Sequence, residues 1–391
     1  MKARIMATGV LLGLAANAHA QSSVTLYGLI DAGISYTNHT KTASGSSSQF
    51  KYGDGVAQGS RWGIKGQEDL GAGLQTIFTL ENGFDSGTGA LGQNGSMFGR
   101  QAFVGLHKDG IGQITFGRHY SLSTSVLGHG YSLGAQSEAG GFAYHINDLD
   151  QLTGGRLSNS IRVYSEDFGG LTFGAMYAFS NKAGSFAGGP ATTTNGVTTA
   201  GASSATSFSA SYARGGFGLA AAYTDMRYPT QAVPSAYSVS IANVNTNGLK
   251  DLRTFGVGAR YAFQNAALWG LWTNTRLAPI SSAASTLNAF ELSGKYLITP
   301  AFIAALGYTF EDLNGATHGK WNQVNSVLDY FLSKRTDVYL SVSYQKASGS
   351  NTVSGVAVPV QAQIGSNTNF VGISGGPQSQ IAARVAMVHR F

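Results

Sequence analysis

Four basic side chains are spaced so that alternation along the chain turns them to one common face. In the segment 59–69 the apolar Trp62 and Ile64 share a side, which leaves Arg61 and Lys65 on the other. In 98–107 Phe103 is expected to point outward and Arg100 inward, and Arg162 alternates with Ile161 and Val163. Successive side chains of an extended segment point to opposite sides, so parity alone gathers these cations into a cluster. Arg118 ends a similar segment, and its direction stays open. Glu81 has the inward parity of its own segment, and Glu138, Asp148 and Asp150 lie among glycines between Tyr120 and Arg156. The chemistry open to such a set is electrostatic. Fixed cations facing carboxylates across a gap attract and steer small ions without making or breaking a bond.

Covalent chemistry finds less support. The pattern G-x-S-x-G occurs at 130–134 and 372–376, but in loop-like sequence and not in the strand-turn-helix it requires. With 54 glycines present, about one accidental match is expected. The eight histidines are scattered, with no H-E-x-x-H or related spacing. Asp148 and Asp150 form a D-x-D pair, yet two carboxylates without further ligands nearby make a poor cation cage. The same two residues could line a gap or anchor their stretch to a wall by hydrogen bonds, and the sequence supports both equally. No catalytic residue, metal ligand or cofactor is expected.

The elements that must hold these residues are strands. Leu171, Phe173, Ala175, Tyr177 and Phe179 alternate with smaller residues; so do Phe255, Val257, Ala259, Tyr261 and Phe263 against Thr254, Gly256, Gly258 and Arg260. Sixteen such segments are expected: 24–36, 59–69, 74–84, 98–107, 112–119, 157–166, 171–180, 206–214, 218–227, 251–263, 266–276, 288–298, 301–311, 320–332, 336–346 and 378–391. Their connections alternate in kind. Seven are tight, as at Lys108-Asp109-Gly110-Ile111 and Thr299-Pro300. The other eight are mostly longer and rich in Ser, Gly, Thr and Asn, as at 37–58, 181–205, 228–250 and 347–377. The connection 120–156 is too long for a structureless loop in a compact domain, so it is expected to fold inward and narrow a lumen.

Composition says what solvent these strands meet. Charged residues are only 11%, against a usual value of about 25%. Residues 1–20 read as a secretory signal: Lys2 and Arg4, an apolar run too short to span a bilayer, then Ala18-His19-Ala20. Its removal lowers the formal charge from +6 to +4, too little and too dispersed for a nucleic-acid patch. There is no cysteine, so no disulfide framework is expected of the remaining chain, 21–391. Glycine-rich, aromatic-rich, weakly charged strands with short turns at one end and long loops at the other suit a transmembrane β-barrel with one face in lipid and one in water. A soluble sandwich would also alternate, but it would not need long loops at one end only.

Ser23-Val24-Thr25-Leu26-Tyr27-Gly28, Ser60-Arg61-Trp62-Gly63-Ile64-Lys65-Gly66, Phe98-Gly99-Arg100-Gln101-Ala102-Phe103, Asn159-Ser160-Ile161-Arg162 and the closing His389-Arg390-Phe391 resemble the general-diffusion porins of Gram-negative bacteria, in particular the β-proteobacterial (neisserial-type) branch. The resemblance covers the chain after residue 20. It implies an all-β, sixteen-stranded antiparallel barrel in the outer membrane, with the third loop folded inward. It also implies a homotrimer in outer-membrane lipid and lipopolysaccharide, with the second loop, 85–97, reaching over a neighbouring subunit. Small outward residues of the first strand, Gly28 and Ala32, would favour close approach of walls. The family's constriction arginines correspond to Arg61, Arg100 and Arg162. Ser137-Glu138-Ala139-Gly140-Gly141 resembles its acidic loop segment, with Ala139 where an aromatic is usual. The expected function is a water-filled channel for passive diffusion of small hydrophilic solutes and ions, with a modest anion preference. A barrel-borne hydrolase and an adhesive barrel are the alternatives.

Overall fold

In the computed structural model sixteen antiparallel strands close into one barrel. Residues 22–179, 192–194, 197–199, 203–227, 240–241, 244–245, 249–279, 282–365 and 376–391 are described. Residues 1–21 and parts of four expected connections, 181–205, 228–250, 277–287 and 347–377, lie outside them. The barrel strands are β1 Ser23–Thr42, β2 Arg61–Gly71, β3 Leu74–Gly83, β4 Gln101–Lys108, β5 Gly112–Tyr120, β6 Arg156–Ser165, β7 Leu171–Ala178 and β8 Ser204–Arg214. They continue as β9 Phe217–Arg227, β10 Leu249–Ala262, β11 Ala266–Pro279, β12 Ser285–Thr299, β13 Phe302–Gly315, β14 Gly319–Phe331, β15 Thr336–Ser348 and β16 Ser379–Arg390.

Each strand pairs with the next, and β16 returns to β1 in a register from Leu29 opposite Arg390 to Thr37 opposite Ala382. Lipid offers no partner to a free backbone N–H or C=O, so closure satisfies what an open edge would leave bare. The last residue joins the seam: Gly28 and Phe391 exchange backbone hydrogen bonds of 3.1 and 3.0 Å. A Cβ at Gly28 would stand 2.4 Å from the Phe391 ring. The outward space at Gly28 is therefore filled by the chain's own terminus and is not left for a neighbouring wall.

The outward face is apolar, with Val24, Leu26, Leu292 and Val385 strongly exposed. Phe217, Tyr261, Phe263, Tyr296 and Tyr330 ring the ends that carry the short turns. The inward face departs from a uniformly polar reading. Trp269, Leu271 and Leu277 of β11 and Trp321 of β14 point inward and are buried. Parity cannot separate an inward apolar residue from an outward one until it is known what else occupies the lumen.

Three boundaries differ from expectation. The connection 37–58 is mostly a hairpin arm, because β1 runs on to Thr42 and pairs with Gly45–Asp54. β4 begins at Gln101, and its lipid face carries Val104 and Leu106, so Phe103 points inward and stacks 4.9 Å from His119. Phe103 and its aliphatic neighbours thus take the sides opposite to those read from the sequence. The connection 347–377 contains a second hairpin, Ser350–Val353 with Val356–Pro359.

The seam is locked from inside by a fully buried ion pair. The Arg384 guanidinium of β16 donates to Asp31 of β1 at 3.0 Å, to Tyr339 of β15 at 2.7 Å and to the Gly53 carbonyl at 3.0 Å. Asp31 accepts further bonds from the backbone of Ala57 and the Tyr339 hydroxyl. Removing one partner of a buried pair strands the other, at a cost of about 3–5 kcal/mol. Arg384→Leu should lower the midpoint of heat or denaturant unfolding by that order, while Tyr339→Phe should cost about 1 kcal/mol. Equal midpoints for Arg384→Leu and the parent would show that the pair does not hold the seam.

Candidate functional site: a loop folded against the barrel wall

The chain between β5 and β6, residues 121–155, lies inside the barrel. It leaves β5 in a helical turn, Ser123–Gly128, and continues through short helices His129–Tyr131 and Leu133–Gln136. Its apolar residues supply a small core of the kind a soluble domain has. Leu127, Tyr131 and Leu152 cluster with Ala220, Ala222 and Leu271 of the wall, and Leu133, Ala139 and Ala143 with Trp269, Ala305 and Val327. Each fully buried leucine contributes about 1.5–3 kcal/mol relative to exposure. The two limbs of the loop touch so closely at Gly128 that a Cβ there would lie 2.0 Å from the Leu152 carbonyl oxygen.

Polar anchors fix the loop around the wall from β8 to β16. Leu122 N–H donates to Ser207 of β8, and Ser123 bonds Thr224 of β9. Leu133 N–H donates to Glu291 of β12 at 2.7 Å, and Ile146 N–H to Glu311 of β13 at 2.6 Å. His145 joins Asp150 to Glu291, 3.6 Å from its other ring nitrogen, and Thr273 of β11 donates to Asp150 at 2.8 Å. Burial opposes charge on His145, but Asp150 and Glu291 outweigh it and hold the imidazole well above its usual range.

The four expected acidic residues are all buried. Asp148 closes the return limb by accepting from Thr153 and Gly154 N–H at 2.8 and 2.7 Å. Asp150 is fully buried, so of the two roles left open for this pair, lining and anchoring, the geometry favours anchoring. Glu138 is 6% exposed and bonded to Gln58 and to Arg390 of β16 at 2.8 Å each. Its cationic partner is thus Arg390, and Ala139 beside it is packed into the wall. Burial and the nearby Asp337, opposed by Arg390, push Glu138 up to about 8. Burial and Asp150 push Asp148 up to about 7. Glu81 points inward but is engaged by Tyr27 at 3.0 Å and by Arg100 at 2.8 Å.

The basic residues fare differently. Arg100, just before β4, is 8% exposed and paired with Glu81. Arg61 and Lys65 project inward from β2, with Lys65 Nζ 5.5 Å from the centre of the Tyr27 ring. Arg162 of β6 stands 5.7 Å from the ring of Phe103. Arg118 bonds Ser158 and the Gly99 carbonyl. Several inward cations were not singled out from sequence, the paired Arg384 and Arg390 of β16 among them. Arg156 sits 4.6 Å over Tyr120, Arg260 sits 5.6 Å over Tyr131, and Lys295 donates to the Gln136 carbonyl at 3.1 Å. The signal was present for Arg260, which alternates with Tyr261. Among the described residues, none of Arg61, Lys65, Arg156, Arg162, Arg260 and Lys295 is paired with a carboxylate.

The anchors lead to a direct expectation. Glu291→Ala removes the acceptor of a buried N–H, a loss of about 1–3 kcal/mol confined to the loop. Recordings of single channels should show excess noise in the open current for Glu291→Ala, whereas Glu291→Gln, which keeps an acceptor, should stay quiet. A quiet Glu291→Ala channel would mean that this bond does not fix the loop.

Comparison with known proteins places this architecture. A family model described as Gram-negative porin matches residues 7–350. The chain is 38% identical over 190 residues to an outer membrane porin protein of Bordetella pertussis, a match spanning 46% of this chain and about half, 49%, of that one. It is 28% identical to outer membrane porin protein 32 of Delftia acidovorans over the whole of both chains. Among solved structures it is similar to the anion-selective porin from Comamonas acidovorans, with a TM-score of 0.73 at 24% identity, covering 95% of this chain and 100% of that one. OmpT of Vibrio cholerae in its trimer form gives 0.64 at 14% identity, covering 95% and 99%. At these identities the structural likeness is one of fold. The family match over most of the chain, joined to a closed sixteen-stranded barrel with an apolar outer belt, makes this chain a member of the Gram-negative porin family of the outer membrane.

Proposed function

We propose that the barrel is a water-filled channel for passive diffusion of small hydrophilic solutes and ions, with a modest preference for anions. One observation carries the preference: apart from Asp329 of β14, the inward carboxylates described above are engaged as anchors or ion-pair partners, while six inward cations have no carboxylate partner among the described residues. The raised Glu138 and Asp148 subtract less negative charge from the lumen at neutral pH than their number suggests. Two unit charges 8 Å apart interact by about 0.5 kcal/mol in water and about 2 at an effective dielectric constant of 20. A net bias of about 1–2 kcal/mol favours anions by about ten-fold. The structural neighbour from Comamonas acidovorans is itself an anion-selective porin, which supports the same sign. Arg61, Lys65, Arg100 and Arg162 form the basic wall in this reading, and the loop 121–155 narrows the passage opposite it.

The zero-current potential across a KCl gradient tests the sign. The parent should be anion-selective, most strongly at low salt, because screening acts over about 8 Å at physiological strength. Replacing Arg61 and Arg162 by Ser should shift the potential toward cation selectivity. Arg100→Ser should shift it at least as far, since it also leaves Glu81 without its ion-pair partner. A cation-selective parent would overturn the proposed preference.

The homotrimer in lipid and lipopolysaccharide is a further part of the proposal, supported by the trimer form of the Vibrio cholerae neighbour. The connection 84–100 packs against its own hairpin arm, where Tyr52 bonds Ser86 at 2.8 Å, so its outer surface is free to meet a second subunit. Deleting 85–97 should lower the temperature at which the trimer dissociates on a gel. An unchanged temperature would remove the latch role.

A further inference from the structure

Three glutamines stand directly opposite one another on the inward faces of β14, β15 and β16: Gln323 pairs in register with Gln345, and Gln345 with Gln380. All three are at most 2% exposed, a costly place for amides unless every group is bonded. Their partners are two different loops. Gln380 Oε1 accepts from Ile364 N–H at 2.9 Å. Gln345 Oε1 accepts from Gln363 N–H at 2.6 Å, and its Nε2 donates to the Gln363 carbonyl at 3.1 Å and to Gln323 Oε1 at 2.8 Å. Gln323 Nε2 donates to the carbonyl of Phe142, at the tip of the inward loop, at 2.6 Å. The chain of bonds thus runs from the last external connection, through the wall, to the loop that narrows the lumen.

The two loops also meet directly. Asn147 N–H donates to the Gly365 carbonyl at 3.0 Å. Ile364 is buried in one cluster with Phe142, Val56 and Ala382. At Gly365, φ is +96° and a Cβ would lie 2.7 Å from the Gly141 carbonyl oxygen. Val360, Ala362 and Ile364 are fully buried, although they belong to the long connection between β15 and β16.

We propose that the segment Val360–Gly365 is a working part of the constriction, and that Gln345 is the positioning residue through which this external connection holds the tip of the inward loop. The state of the external connection then sets the geometry of the pore. This rests on the reading of the lumen as a conducting channel.

The chain has no cysteine, so single introduced thiols report cleanly on the segment. The probe is a small anionic methanethiosulfonate reagent applied to the purified protein in bilayers. Ile364→Cys should react about ten-fold or more slowly than Val356→Cys, which is 64% exposed on the hairpin. Adding Gln345→Ala to Ile364→Cys should raise its rate by about ten-fold, the scale of one or two lost net hydrogen bonds. The same change should make the open current noisy with unequal levels, while the barrel's resistance to unfolding on a gel stays intact. Gly365→Ala, which leaves every glutamine in place, should give the same noise by pushing the segment off the loop, and it stands in if Gln345→Ala fails to fold. Rapid labelling of Ile364→Cys in the otherwise natural chain, or release of the segment with an unaltered current, would overturn the proposal. A parent that carries no current at all would instead overturn the channel reading on which it rests.

Discussion

Hydrocarbon offers no hydrogen bond to a peptide group, and the architecture of this porin follows from that constraint. Each backbone N–H and C=O at membrane depth needs a partner within the protein, which a closed antiparallel barrel provides. Closure in turn requires a specific seam. Here it is made by the register of β16 on β1, the exchange between Gly28 and Phe391, and the buried Arg384–Asp31 pair behind it. The terminal aromatic is part of the wall, and the glycine opposite is there to receive it.

Once the wall is closed, its interior becomes a second folding problem. The inward loop cannot leave its own peptide groups bare against the wall, and its short helical turns satisfy only some of them. The wall completes the rest with side-chain acceptors, Glu291, Glu311 and Ser207, and with the Gln323 amide as donor to the Phe142 carbonyl. Apolar inward residues such as Trp269 and Leu271 then have a covering layer, which explains why they can face a lumen without facing water. The barrel acts as both membrane solvent shield and scaffold for a small internal core.

This use of acidic groups as anchors determines the electrostatics. A carboxylate accepts several N–H bonds at once and is suited to pinning loop backbone. A guanidinium can lie over an aromatic ring with its charge still open to water. Arg156 on Tyr120, Arg162 near Phe103 and Arg260 on Tyr131 are held in that way. Structural demands therefore engage most of the inward negative charges, Asp329 excepted, and leave positive ones facing the lumen, a bias that needs no large excess of basic residues in the chain.

Strand number, closure, the tight and long connections and the inward parity of Arg61, Lys65 and Arg162 follow from a period of two and the solvent on each side, both legible along the chain. The sequence by itself determined these because each depends on neighbours one or two residues away. Phe103 escaped it because an inward aromatic and an outward one have the same local pattern, and only the stacking partner His119 and the cation of Arg162 distinguish them. The partners of Glu138 escaped it because Gln58 and Arg390 lie 80 and 252 residues away along the chain. The glutamine relay left no trace in local sequence, since each amide looks like any other polar inward residue until two loops arrive to bond it. Tertiary structure alone decided which charges are engaged and which remain open, because pairing is a matter of distance across the lumen and not of position along the chain.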